Sequence, residues 1–166
     1  MLKILIVEDE ALFAETLRDL VQLNPRYIVT GIAEDCDQAI ALADAQPPDL
    51  ALVDLQLAHG SSGFSVAAKL AERQIACLFT SGKAPNFPLP DLALGCLLKP
   101  FSEEDLVRTL RTAEDTIRGR APLRPTRPAN LRLYGEEQAA FEASQLPAPR
   151  PRRRGWKDWL PLARAS

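Results

Sequence analysis

Five polar residues stand at the ends of apolar runs in this chain. Glu8 and Asp9 follow the run Leu2, Ile4, Leu5, Ile6, Val7; Asp54 follows Leu50–Val53; Ser81 closes a run begun at Ile75; Lys99 follows Cys96–Leu98. Two adjacent carboxylates at the end of a buried strand repel each other and lose solvation, a cost that a hard cation such as Mg²⁺ offsets because it prefers oxygen ligands. The same acids, with Glu10, also suit the N-terminus of a following helix, where negative charge is favoured. If the strands run parallel, their carboxyl ends bring all five residues to the edge where open α/β sheets bind ligands. Three carboxylates, a hydroxyl and an ammonium suit a Mg²⁺ and phosphoryl site. No base is placed to activate a serine or cysteine nucleophile, which sets a hydrolytic triad aside. His59, the single histidine, lies in the run AHGSSG and reads as a solvated loop residue.

The elements that must position these residues follow from hydrophobic period. Met1–Val7 reads as a strand covered on both faces, as in a parallel sheet. Residues 11–23 suit a helix through Phe13, Leu17, Leu20 and Val21; Tyr27–Ala33 suits a strand; and Asp35–Ala45 suits a helix with an acidic cap, ended before Pro47-Pro48. Leu50–Val53 predicts a short buried strand, 64–73 a third helix, Ile75–Phe79 a fourth strand and Cys96–Leu98 a fifth. Ser102 and Asp105 form a capping-box pattern ahead of Leu106, Val107 and Leu110, which share one face of a last helix. Such alternation predicts an α/β fold with a doubly wound, five-stranded parallel sheet. Between the last two strands Pro85, Pro88 and Pro90 leave room for a turn at most, so the fourth helix is expected to be shortened or loop-like and the segment mobile.

The 166 residues fit one domain plus an appendage, and an apolar fraction of 46% suffices for a core. No run approaches the roughly 18 apolar residues of a membrane span, and no signal-peptide pattern follows the first strand, so a cytoplasmic protein is expected. Cys36, Cys77 and Cys96 lack metal-ligand spacing and read as small hydrophobes in a reducing compartment. Charge divides the chain: residues 1–118 hold 10 Lys+Arg against 18 Asp+Glu, whereas 119–166 hold 10 against 4. The second part also carries Pro122, Pro125, Pro128, Pro147, Pro149, Pro151 and Pro161, so the domain boundary is placed near Gly119.

Taken in order, ILIVEDE, PPDLALVDLQLAHGSSG, LFTSG and LLKPF resemble the receiver domain of two-component response regulators over about residues 2–118. The resemblance implies a flavodoxin-like receiver fold, with Asp54 as phosphoacceptor. It further implies Asp9 and Asp54 as Mg²⁺ ligands, Gln56 as a ligand through its backbone carbonyl, and Glu8 acting through a water. Lys99 would contact the phosphoryl oxygens, and Pro100 would follow a cis peptide bond. Counting five strand residues from Ile75 favours Ser81 over Thr80 as the phosphoryl-contacting hydroxyl. Cys96 occupies the switch position, where the family usually has an aromatic residue. The run FTSG, the proline-broken fourth helix and the missing aromatic resemble a subgroup with a FATG motif, although Ala76 stands at its proline and Lys83 follows the glycine.

The expected function is therefore a stand-alone response regulator in a phosphorelay. It would accept a phosphoryl group from a sensor histidine kinase or a histidine phosphotransfer protein, and then signal to an output partner or act as a relay or sink. Beyond transient aspartyl-phosphate chemistry and self-dephosphorylation it is not expected to be an enzyme. A Mg²⁺-dependent aspartyl-phosphate phosphatase is the alternative, but that class needs an acid two residues after its nucleophile and Gln56 stands there. A receiver-like scaffold without phosphorylation would lack a key residue, and all are present. DNA is not expected to bind through the receiver. In the tail, residues 131–146 suit one short helix and the rest is expected to be largely disordered. Trp156, Trp159 and Leu160 lie at helical spacing among basic residues, so 150–160 offers a patch for a membrane or an acidic partner.

Overall fold

Ile4, Leu5, Ile6 and Val7 have no exposed surface, as a strand with helices on both faces requires. They form β1 (Leu2–Val7) of a computed structural model that describes residues 1–58, 60–121 and 127–145. There follow α1 (Ala11–Gln22), β2 (Tyr27–Ala33), α2 (Cys36–Ala45), β3 (Leu50–Asp54), α3 (Gly63–Ala71), β4 (Ala76–Ser81), β5 (Gly95–Leu98), α4 (Glu103–Ile117), β6 (Leu131–Leu133) and α5 (Tyr134–Gln145). The sheet order is β2-β1-β3-β4-β5-β6. The five expected strands pair in parallel, and the sixth adds antiparallel to β5.

Strand alternation divides the core into two layers. Ile4, Ile6, Leu50, Leu52, Leu78 and Leu97 pack against α1 and α4 through Leu17, Val21, Leu106 and Leu110. Leu5, Val7, Ala51, Val53, Cys77, Phe79 and Cys96 face the other way, onto α2 and α3 and onto Tyr134. The helices begin where capping chemistry allows. Asp35 accepts a bond from the Gln38 N–H, Ser62 from the Phe64 N–H, and Ser102 and Asp105 make the reciprocal capping box.

Between β4 and β5 there is no helix, as three prolines require. The segment is anchored in its second half, because Leu89 and Leu92 pack on the core, Ala93 is buried and the Leu94 N–H donates to the Cys77 carbonyl at 2.8 Å. Phe87, in its first half, is exposed.

Two expectations about the chain's later part are corrected. The sheet has six strands, because Leu131–Leu133 extends it past the boundary set near Gly119. Three residues of Leu-Arg-Leu are too short to show a period, and their partner strand lies far away in sequence. The helix expected over 131–146 begins only at Tyr134. β4 also runs two residues beyond Phe79 and so includes Ser81. His59, Trp156, Trp159, Leu160 and the whole segment 150–160 lie outside the described residues. Among the described residues no helix is long and apolar enough to cross a membrane.

Candidate functional site

The end of β1 carries Glu8 into the sheet's carboxyl edge, where its N–H still donates to the Ala33 carbonyl of β2 at 2.9 Å and its side chain is buried. Asp9 turns outward to the next loop and accepts the Ala58 N–H at 3.0 Å. Asp54 ends β3 with 7% exposure, beside Thr80 in register, and its Oδ1 accepts the Gln56 N–H at 3.1 Å. Carboxylate oxygens of Glu8, Asp9 and Asp54 lie within 4.8 Å of one another. Parallel strands thus join three acids that the sequence separates by up to 46 positions.

Lys99, just past β5, reaches into this cluster. Its Nζ stands 3.0 Å from Asp54 Oδ2 and 3.1 Å from Glu8 Oε2. It also lies 4.3 Å above the Phe13 ring, which in turn packs on Phe101. Burial would push the lysine down, but its bonds to Asp54 and Glu8 outweigh that and hold the ammonium above its ordinary range. Burial pushes Glu8 up, and the Glu10 N–H and Lys99 offset this only in part. Asp54 and Glu8 therefore share one ammonium, and Asp9 adds a third acid. An all-oxygen donor set short of positive charge fits a hard divalent cation such as Mg²⁺.

The other expected residues surround this centre. The Lys99–Pro100 peptide is cis. Gln56 sits two residues past Asp54 and bridges to Ser62. Ser81 lies one step beyond Thr80 at the strand's end, its hydroxyl accepts the Lys83 N–H at 3.2 Å, and its carbonyl accepts the Lys99 N–H at 2.8 Å. Ser81 lines a cleft with Leu55, Gln56 and Phe64. Among the described residues neither hydroxyl bonds Asp54. Cys96 is fully buried on the opposite layer, and burial pushes its thiol up to about 11.

Two residues escaped the reading of the sequence. Phe13 lies one helical turn past Asp9, a spacing that core packing explains equally well. Gly63 opens α3 directly against the backbone of Asp54, where a Cβ would meet the Asp54 carbonyl oxygen at 2.2 Å. Only its place at a helix start hinted at such contact.

Residues 4–111 match the response regulator receiver domain family. The chain belongs to that family. This receiver is 36% identical over 118 residues to the positive alginate biosynthesis regulatory protein of Pseudomonas aeruginosa, a match covering 68% of the chain and 47% of that relative. It is 32% identical over 130 residues to the transcriptional regulatory protein YdfI of Bacillus subtilis, covering 75% and 59%. The chain thus spans about half the length of these curated relatives. Among solved structures it is similar to the receiver domain of the putative response regulator NarL from Mycobacterium tuberculosis, with TM-score 0.61, 28% identity and coverage of 72% and 98%. The PhyR receiver domain of Erythrobacter litoralis gives TM-score 0.55 at 26% identity, covering 71% and 90%. Membership makes phosphorelay signalling the receiver's function class.

Proposed function

We propose that this receiver accepts a phosphoryl group on Asp54 from a sensor histidine kinase or histidine phosphotransfer protein, and signals through its own surface as a stand-alone regulator or passes the group on as a relay or sink. The observation that carries the reading is Lys99 Nζ held between Asp54 Oδ2 and Glu8 Oε2 at 3.0 and 3.1 Å, beside Asp9.

Asp54 and Asp9, with the Gln56 carbonyl and Glu8 through a water, would hold Mg²⁺. When bound it neutralises charge on the phosphoryl oxygens. Asp54 Oδ attacks phosphorus in line, forming an aspartyl phosphate as the bond to the leaving group breaks. Lys99 exchanges its carboxylate contact for the phosphoryl oxygens, and the Ser81 hydroxyl donates to them, with Thr80 the less favoured hydroxyl. No turnover beyond formation and loss of the aspartyl phosphate is expected.

Incubation with Mg²⁺ and acetyl phosphate, followed by mass spectrometry, should place one phosphoryl group on Asp54, and Asp54→Asn should abolish labelling without unfolding the protein. Normal labelling of that variant would overturn the assignment. Ser81→Ala and Lys99→Ala should keep Mg²⁺ binding yet lose the response to phosphorylation, with Thr80→Ala affected less.

A further inference from the structure

β5, the strand that delivers Lys99, has its outer edge covered by the chain's own C-terminal segment. Gly95, Cys96 and Leu97 pair with Leu133, Arg132 and Leu131. The Leu98 N–H donates to the Asn130 carbonyl at 3.0 Å, Asn130 Nδ2 donates to the Leu98 carbonyl at 3.3 Å, and the Tyr134 N–H donates to the Leu94 carbonyl at 3.0 Å. The strand is shaped for this cover. A Cβ at Gly95 would lie 2.0 Å from the Arg132 carbonyl oxygen and 3.1 Å from Leu133 Cα, both backbone atoms of the cover itself. The glycine therefore serves the docking of β6.

The cover carries an aromatic ring inward. Tyr134 is 1% exposed, with its ring centroid 6.4 Å from that of Phe79, in the core layer that also holds the fully buried Cys96. The segment thus brings a ring to the layer where the switch position holds only a thiol. Phe79 precedes Ser81 by two residues and Cys96 precedes Lys99 by three, so the ring rests on the strands whose ends carry the site's hydroxyl and ammonium. Docking buries Leu131 and Leu133 of β6 in the core, but of α5 only Tyr134. The Tyr134 hydroxyl is buried with no hydrogen-bond partner among the described residues, β6 is three residues long, and Tyr134 is the buried residue of α5. The unsatisfied hydroxyl and the short strand offset part of what burial of these three side chains contributes, which lowers the free energy of local opening.

We propose that residues 130–145 are a phosphorylation-gated cover, docked while Lys99 bridges Glu8 and Asp54 and released when the ends of β4 and β5 re-form around an aspartyl phosphate. Release opens the β5 edge, whose unpaired backbone groups accept an extended strand of a partner protein. The inference rests on Asp54 as phosphoacceptor.

The test uses the full chain with Mg²⁺ and acetyl phosphate, in which an Asp54 oxygen bonds phosphorus as the bond from phosphorus to the acetate oxygen breaks and acetate leaves with the electron pair. Mass spectrometry reads the labelled fraction, and hydrogen exchange reads the amides of Leu98 and 131–134. Labelling should speed that exchange about ten-fold or more. Gly95→Val should give fast exchange in both states while Asp54 still labels; Tyr134→Ala should do the same if Gly95→Val fails to fold. Tyr134→Phe, which removes the orphaned hydroxyl and keeps the ring, should slow exchange. Labelled Asp54 with unchanged or slower exchange would overturn the cover and leave the phosphoacceptor standing. Protection that survives both Gly95→Val and Tyr134→Ala would also overturn it, whereas failure to label Asp54 would remove both readings.

Discussion

Gly63→Ala should destabilise this receiver, although alanine in place of a helical glycine ordinarily stabilises by roughly 0.5–1 kcal/mol. The reason is contact with the backbone of Asp54. The added methyl would lie 2.2 Å from the Asp54 carbonyl oxygen, 2.7 Å from Leu55 Cα and 2.9 Å from the Asp54 carbonyl carbon, where ordinary contact begins at 3.4 Å. Either the start of α3 or the end of β3 must retreat by about 1 Å, a small-to-large strain that typically costs about 1–3 kcal/mol. Neither gives way easily. The Gly63 N–H donates to the Leu55 carbonyl at 3.3 Å, Asp54 is paired with Thr80, and Val66 and Ala67 have no exposed surface beneath. If the strand end yields, Asp54 leaves its 3.0 Å contact with Lys99. A displacement of that size lowers a positioned reaction by about 10²-fold. Urea denaturation and the rate of labelling by acetyl phosphate measure the two effects. A Gly63→Ala protein that is as stable as the parent and labels at the parent's rate would show that the close approach of Gly63 to Asp54 constrains neither stability nor the site.

Two further outcomes are expected. By titration calorimetry, Glu8→Ala should lower Mg²⁺ affinity roughly ten-fold and Asp9→Ala more, because a direct ligand contributes more than one acting through water; equal losses would reverse the ranking. At the far end of the sheet, buried Glu114 accepts bonds from Arg26 at 2.8 Å, Arg118 at 2.9 Å and the Tyr27 hydroxyl at 3.2 Å. Burial pushes this carboxyl up, but Arg26, Tyr27 and Arg118 outweigh it and hold it below the usual range. A lowered carboxyl stabilises above its unfolded value, near 4.3, and that contribution is lost as pH falls through the folded value. Glu114→Gln should therefore cost about 1–3 kcal/mol at pH 7 and progressively less below about pH 4. A cost that stays constant from neutral to acid pH, read from urea midpoints, would show that the ion pairs are not its source.

The alternation of elements, the proline-broken connection between β4 and β5, the capping box at Ser102 and the five edge residues were legible because each is a local pattern of period, cap or motif. Parallel pairing then brings Glu8, Asp54 and Lys99 together, as the motif order implied. Tertiary structure alone decided how charge is shared there: Lys99 bridges two of the three acids and rests on Phe13, while Asp9 is tied to the Ala58 amide. It also decided that Gly63 abuts Asp54 and that Gly95 admits β6. Proline content marked residues 119–166 as a tail, yet Leu131–Leu133 completes the sheet and Tyr134 fills space beside Cys96 and Phe79. Three residues carry too little period to announce a strand. What holds them is the unpaired edge of β5, some 35 positions earlier in the chain, and complementarity over that distance exists only once the chain has folded.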